Sequence, residues 1–228
     1  MFERREPLVK SGIPFQSPSV SRLRSAMSDP SFPPRTATVE RTTAETEVSI
    51  ELTLDGNGTY DVETGVGFFD HMLNLFAKHG GLDLTVRCDG DLVVDEHHTV
   101  EDVAIGLGQA LRRALGDKAH IARYGHAYVP MDDALARAVI DLSGRSYARL
   151  DASFGREQVG DLSTEMVQHL WRSLAAHARC NLHLTVLHGH NAHHKIEALF
   201  KAAARALRTA VARRADHAEV ASTKGTLS

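Results

Sequence analysis

Apolar and polar positions alternate with period two from Thr46, where Val48, Ile50, Leu52 and Leu54 share one face. Asp55-Gly56-Asn57-Gly58 then turns the chain into a short strand at Thr59 to Glu63, and the two runs together predict a hairpin. Gly65 and Gly67 interrupt the alternation, helical spacing takes over from Phe68 to Lys78, and alternation returns from Leu82 to Arg87. After Asp95 comes the longest helical pattern of this half, with Val100, Ala104, Leu107, Leu111 and Leu115 on one side and Gly116 as its stop. The predicted order is strand, strand, helix, strand, helix.

The second half repeats that order. Ala134 to Leu142 and Arg145 to Phe154 read as strands joined at Ser143-Gly144, Leu162 to Ala178 as a helix, Asn181 to Leu187 as a strand and Ile196 to Arg213 as a helix. The letters repeat as well: His71-Met-Leu-Asn-Leu-Phe-Ala77 matches His169-Leu-Trp-Arg-Ser-Leu-Ala175, and Leu82-Asp-Leu-Thr-Val86 matches Leu182-His-Leu-Thr-Val186. The direct reading is an α+β protein built from an internally duplicated ββαβα unit, with repeats at about 38–125 and 126–214 and a C-terminal tail. Residues 1–37, rich in Ser, Pro and Arg and without either period, are expected to form a disordered arm. Met27 offers an alternative start. The Arg and Ser content of the arm has a faint likeness to a plastid transit peptide, against which Glu3, Glu6 and the prolines count.

Composition narrows the function classes. With 43% hydrophobic residues in 228, there is enough apolar side chain for a proper core, and no run of about 18 apolar residues that would span a bilayer. The net charge of -3 and dispersed basic residues with few aromatics argue against a nucleic-acid platform, while leaving room for a small anionic ligand. Cys88 and Cys180 lie in apolar alternating segments without ligand spacing and read as reduced core thiols, which points to a cytoplasmic location. Histidine is in excess, at 14 against a single Trp.

That excess contains a repeated motif. His97-His98-x-x-Glu101 and His193-His194-x-x-Glu197 stand at matching points of the two halves, preceded by His71 and His169 at 26 and 24 positions respectively. Each helical residue advances about 100 degrees, so Glu101 shares a face with both His97 and His98, whereas the adjacent histidines diverge and suit different ions. Two motifs imply two metals. Six imidazoles and two carboxylates leave four protein ligands per ion, and this donor set without thiolate suits Mn, Fe, Co, Ni or Zn, with open octahedral positions favouring two Mn2+ ions per active site.

At these motifs the sequence resembles the imidazoleglycerol-phosphate dehydratase family of histidine biosynthesis. The likeness runs from about Val39 to Leu227 and rests on Glu40-Arg-x-Thr-x-Glu45-Thr46, Thr64-Gly-Val-Gly-Phe-Phe-Asp-His-Met-Leu73, His97-His-Thr-Val-Glu-Asp102, Pro130-Met-Asp132, Asp141-Leu-Ser-Gly-Arg145, His193-His-Lys-Ile-Glu-Ala198 and Ser222-Thr-Lys-Gly225. The resemblance implies sheets covered by helices on one face (a ribosomal protein S5 domain 2-like fold) and a homo-oligomeric cage of twenty-four subunits with active sites at subunit contacts. It also implies dehydration of D-erythro-imidazoleglycerol phosphate to imidazole acetol phosphate. In that reaction the metals stabilise an imidazolate, whose electrons expel a hydroxyl to form a diazafulvene.

Roles carried over by the resemblance are as follows. Glu45 is the candidate acid-base; His71, His97, Glu101, His193 and Lys201 join it in substrate binding; and Arg123, Arg145, Ser222 and Lys224, with His79 nearby, are candidates for the phosphate. Asp70, Asp102 and Asp132 are expected either to orient ligand imidazoles or to cap helices. The sequence departs from the family at Val220-Ala221, where an apolar residue followed by proline is usual. Two other readings use the same ligands, a two-metal hydrolase and a metal-storage protein, and product analysis separates them from a dehydratase.

Overall fold

The computed structural model describes residues 33–214 and 219–227. The expected disordered arm and the alternative start at Met27 therefore fall almost wholly on residues 1–32, outside the described part. Thr36 and Ala37, the end of that expected arm, already belong to a strand.

The described residues form an α+β fold in two equivalent halves. In the first, β1 (Thr36–Thr42), β2 (Thr46–Thr53), β3 (Tyr60–Glu63) and β4 (Asp83–Gly90) make a sheet of order β1-β2-β4-β3, with α1 (Gly67–Gly80) between β3 and β4 and α2 (His97–Leu115) after β4. In the second, β5 (Tyr124–Met131), β6 (Ala134–Asp141), β7 (Tyr147–Asp151) and β10 (Asn181–His188) make a sheet of order β5-β6-β10-β7, with α3 (Thr164–Ala178) before β10 and α4 (Ala192–Ala210) after it. The last strand of each sheet runs parallel to its neighbour and the other pairs are antiparallel. The second half alone carries a small extra hairpin, β8 (Gln158–Val159) with β9 (Leu162–Ser163).

Two sequence expectations need correction. Neither β2–β3 nor β6–β7 is a hairpin: β3 lies parallel to β4 and β7 parallel to β10. The reason is an additional strand at the start of each repeat. Both edges of β2 are taken, one by β1 and the other by β4, so the chain leaving β2 has to pass β4 before pairing. Parallel pairing then requires a crossover, which α1 and α3 supply. The Asp55–Gly58 turn serves this passage. Asp83, at the start of β4, accepts the amides of Asn57 and Thr59, and a Cβ at Gly56 would stand 2.4 Å from the Asp83 nitrogen.

The strands alternate as a half-covered sheet should: in β2 the buried positions are Thr46, Val48, Ile50 and Leu52. Helices cover this inner face, α2 lying on β1 and β2 and α4 on β5 and β6, and the helices of the two halves pack on each other as α2–α3 and α1–α4. α2 is thus buried on two sides. Glycine makes that possible: a Cβ at Gly106 would meet Ile50 at 2.9 Å, and one at Gly108 would meet the Leu174 carbonyl oxygen at 2.6 Å. The centre is aromatic, with Trp171 stacked at an angle between Phe200 (centroids 4.7 Å apart) and Phe76 (6.1 Å). No helix among the described residues is long and apolar enough to cross a membrane.

A charge cluster ties the start of the first repeat to the end of the second. Asp55 accepts from Arg35 Nη2 at 2.6 Å and from Arg213 Nη2 at 3.0 Å, with both arginines mostly buried. Burial raises the Asp55 carboxyl, but the hydrogen bonds from Arg35 and Arg213 outweigh it and hold the group well below the usual carboxylate range. A folded pKa below the unfolded one contributes stability in full above about pH 4, and loses it as pH falls from there toward the folded value. Asp55→Asn should therefore lower unfolding stability at pH 7 by about 2 kcal/mol. In denaturant titrations the gap between the two proteins should narrow steadily below about pH 4; a gap that stays constant into acid would contradict this account.

Candidate metal centre and anion cleft

Helix pairing brings six of the eight sequence-predicted ligands into two triads, each drawing on both repeats. His71 on α1 meets His193 and Glu197 on α4, and His169 on α3 meets His97 and Glu101 on α2. Within each triad one donor atom per residue lies within 4.8 Å of the others. Glu197 Oε2 is 3.1 Å from His193 Nε2 and 3.6 Å from His71 Nε2; Glu101 Oε1 is 2.8 Å from His169 Nε2. Three donors aimed at one point, two imidazole nitrogens and a carboxylate oxygen, fit a divalent ion with open positions. Glu197 is buried, which raises its carboxyl, yet Lys201 one turn on, at 2.5 Å, and His193 bring it below its ordinary value, so it is ionised at neutral pH.

His98 and His194 are not part of these triads. The Asp91 carboxylate lies 3.0 Å from His98 Nδ1, and that of Asp133 lies 2.6 Å from His194 Nδ1. Each Nε2 faces a second carboxylate, with Glu45 3.7 Å from that of His98 and Asp132 3.5 Å from that of His194. Glu45 sits in the β1–β2 turn and Asp132 in the β5–β6 turn, so the two carboxylates are counterparts in the repeat. Both imidazoles titrate above their ordinary value because of Asp91 and Asp133. Asp133 in turn is held low by His194 and by the amides of His190 and Asn191.

Asp91 and Asp133 were not among the residues that the sequence singled out, although each lies where a strand ends and holds the Nδ1 of an imidazole. Of the three aspartates expected either to orient imidazoles or to cap helices, Asp132 is the one beside an imidazole, that of His194. Asp70 accepts the Thr64 amide and hydroxyl at the start of α1, and Asp102 is buried against Arg41 and Thr46, both at 2.5 Å.

Arg123, Arg145, Ser222 and Lys224 line a single cleft of about 720 Å³, together with Ser143. Asp141 grips Arg123 through Nε at 2.7 Å and Nη2 at 3.1 Å, and the remaining Arg123 nitrogen donates to the Ala221 carbonyl at 2.6 Å, which anchors the tail at the point of its departure from the family. Lys224 follows in a turn closed by the Gly225 amide on the Ser222 carbonyl. Cationic side chains and a hydroxyl around one opening suit an oxyanion. His79 is not among the residues lining this cleft: it stands in the last turn of α1, where burial and then Lys201 and Arg205 lower its pKa.

Triads and cleft occupy opposite ends of the molecule. Arg123 donates its amide to the carbonyl of Ala210, the last residue of α4, whereas His193 lies in the first turn. At about 1.5 Å per residue the helix separates them by roughly 25 Å. The other triad lies at the start of α2, whose final turns share a wall with Arg145.

Comparison with known proteins agrees with this architecture. The family model for imidazoleglycerol-phosphate dehydratase matches residues 64–207. The imidazoleglycerol-phosphate dehydratase of Salinibacter ruber is 85% identical over 88% of this chain and its own full length, and that of Chloroherpeton thalassium is 56% identical over 86% of this chain and its own full length. Among solved structures, the Staphylococcus aureus enzyme aligns with a TM-score of 0.71 at 40% identity, covering 78% of this chain and 99% of that one. The Pyrococcus furiosus enzyme aligns at 0.72 and 35% identity, covering 83% and 100%. With the duplicated sheet and the paired triads in place, these matches establish that the chain belongs to the imidazoleglycerol-phosphate dehydratase family.

Proposed function

We propose that the protein dehydrates imidazoleglycerol phosphate to imidazole acetol phosphate with two divalent cations, Mn2+ by donor type, one in each His-His-Glu triad. The observation that carries the metal reading is the convergence of three donor atoms within 4.8 Å in each of two equivalent places. Family membership supports the dehydratase activity in histidine biosynthesis and sets aside the hydrolase and storage readings, which have no counterpart among these relatives.

The chemical difficulty is that the hydrogen to be removed is not acidic. Bound ions would supply the positive charge that lets the substrate ring exist as imidazolate. Ring electrons would then expel the hydroxyl on the adjacent carbon, which leaves as water on taking up a proton, to give a diazafulvene; loss of the neighbouring C–H proton would restore the aromatic ring and give an enol that tautomerises to the ketone. We assign the movement of that proton to Glu45, a half-exposed carboxylate 3.7 Å from His98 Nε2, and Asp132 is its counterpart beside His194. Arg123, Arg145, Ser222 and Lys224 hold the phosphate.

A substrate whose ring and phosphate are joined by three carbons cannot bridge the roughly 25 Å along α4. The phosphate cleft of one chain therefore serves the triads of another, which makes the active enzyme a homo-oligomer. Two further features favour this reading. His98 and His194 are not members of their own triads, so each is available as a further ligand to an ion of another copy, and beside His98 the β4–α2 loop exposes Val93 and Val94.

Three measurements test the proposal. Protein stripped with chelator should make no ketone from imidazoleglycerol phosphate and regain turnover with Mn2+, and Glu45→Gln should keep both ions yet lose turnover; full turnover without metal would rule out the ions, and no product with any metal would rule out the reaction. Asp133→Asn should weaken metal binding about 10- to 100-fold by releasing the His194 imidazole, as read in competition with a coloured chelator, and unchanged affinity would remove Asp133 from the site. Finally, His193→Ala and Arg123→Ala should each be inactive alone. Co-assembled, they should regain part of the activity, because some sites then combine an intact triad with an intact cleft; no recovery in a verified mixed oligomer would place the whole site within one chain.

A further inference from the structure

The hairpin β8–β9 is the part of the second repeat with no counterpart in the first, where only Thr64 to Val66 separate β3 from α1. It does not pack idly. The residue preceding α1 is Val66, which has no side-chain oxygen to accept the free amides of the first turn. Asp161, in the hairpin turn, supplies both acceptors: Oδ2 takes the Gly67 amide at 2.6 Å and Oδ1 the Phe68 amide at 2.9 Å. Beside it Gly160, at φ +60°, lies so close that a Cβ there would be 3.0 Å from Phe68 Cβ. The Phe68 ring meets His193 edge-on at 5.0 Å and stands 6.4 Å from His71. The grip therefore passes from hairpin to helix start, and from Phe68 to two imidazoles of one triad.

The contact is returned in the other direction. Glu96, immediately before α2, accepts the amide of Ser163 at 2.8 Å, and Ser163 begins α3, which carries His169. The β8–β9 hairpin that leads into α3 is thus tied to the starts of both α1 and α2, the ends where triad residues lie.

We propose that Asp161 is a positioning residue for the His71–His193–Glu197 triad: it fixes the first turn of α1 and, through Phe68, holds the two imidazoles in ligand geometry. This rests on the metal reading above, and the His97–Glu101–His169 triad, which Asp161 does not touch, is its internal control.

The test is metal retention by the full-length protein loaded with Mn2+, followed by dialysis against chelator and metal analysis, with thermal unfolding to verify folding. Wild type should hold two ions per chain. Asp161→Ala should release one of them about tenfold faster, in line with the effect of removing a group that orients a ligand imidazole, and leave the other at the wild-type rate. Asp161→Asn, which keeps one acceptor oxygen, should fall between the two, and serves alone if the alanine variant does not fold. Added to His71→Ala, Asp161→Ala should change nothing for the remaining ion; added to His169→Ala, it should accelerate loss of the remaining ion. Unchanged release of both ions, or equal acceleration of both, would overturn the positioning role. A wild-type protein that holds no ions would instead overturn the metal reading, and that result is visible before any substitution is made.

Discussion

Everything at the candidate metal centre depends on helices pairing across the duplication and not within it. Had α1 packed chiefly on α2, and α3 on α4, each repeat would have gathered its own histidines and glutamate. Instead α1 lies on α4 and α2 on α3, so His71 is completed by His193 and Glu197, and His169 by His97 and Glu101. Neither repeat can build a triad alone. Apolar burial drives that pairing, through the Phe69, Phe76, Trp171 and Phe200 side chains at its centre, and the ligand geometry follows from it.

The same pairing sets the electrostatics of the two ends. All the triad ligands stand in the first turns of helices, or close to them, where the helix dipole is positive and opposes a cation. Carboxylates answer it: Glu101 and Glu197 within the triads, Asp91 and Asp133 behind the outer imidazoles, Asp161 and Glu96 on the backbone. At the far end the polarity reverses. Arg112, Arg113 and Arg179 lie at the C-terminal ends of α2 and α3 and share a wall with Arg145, so the charges that suit the helix ends also bias this end toward anions.

Much of this was legible in the sequence, and the parts that were not have physical reasons. All four helices followed from spacing, because amphipathic helices reveal their period when one face is buried, although the last one begins at Ala192, ahead of the expected Ile196, and so takes in His193 and His194. The opening strands were invisible. Burial alternates in both, but the inward positions are mostly small or polar, Ala37, Val39 and Arg41 in β1 and Gly125, Ala127 and Val129 in β5, and tyrosines stand exposed beside them in β5, so the apolar period is weak. Missing them made β2–β3 and β6–β7 look like hairpins. At the site, a two-fold repeat in the letters singled out the six residues that converge in the triads, together with His98 and His194, which do not, and could not say which repeat each would face. Asp91 and Asp133 were missed because a loop aspartate carries no period; its task appears only when an imidazole is seen beside it.

The doubled histidine is the feature that the fold explains best. Adjacent residues on a helix diverge by about 100 degrees, so His97 and His193 turn into the triads while His98 and His194 turn out, each steadied on one nitrogen by a carboxylate. An imidazole held at Nδ1 by one carboxylate and bordered at Nε2 by a second, Glu45 or Asp132, is a donor that its own triad does not use and that is left for another partner. On the proposed reading that partner is the triad of another copy, and the cleft around Arg123 and Lys224, remote from its own triads, is the matching half of the same arrangement. Each chain then gives away two histidines and a phosphate site and receives the same in return, which only a closed symmetric assembly can satisfy for every copy.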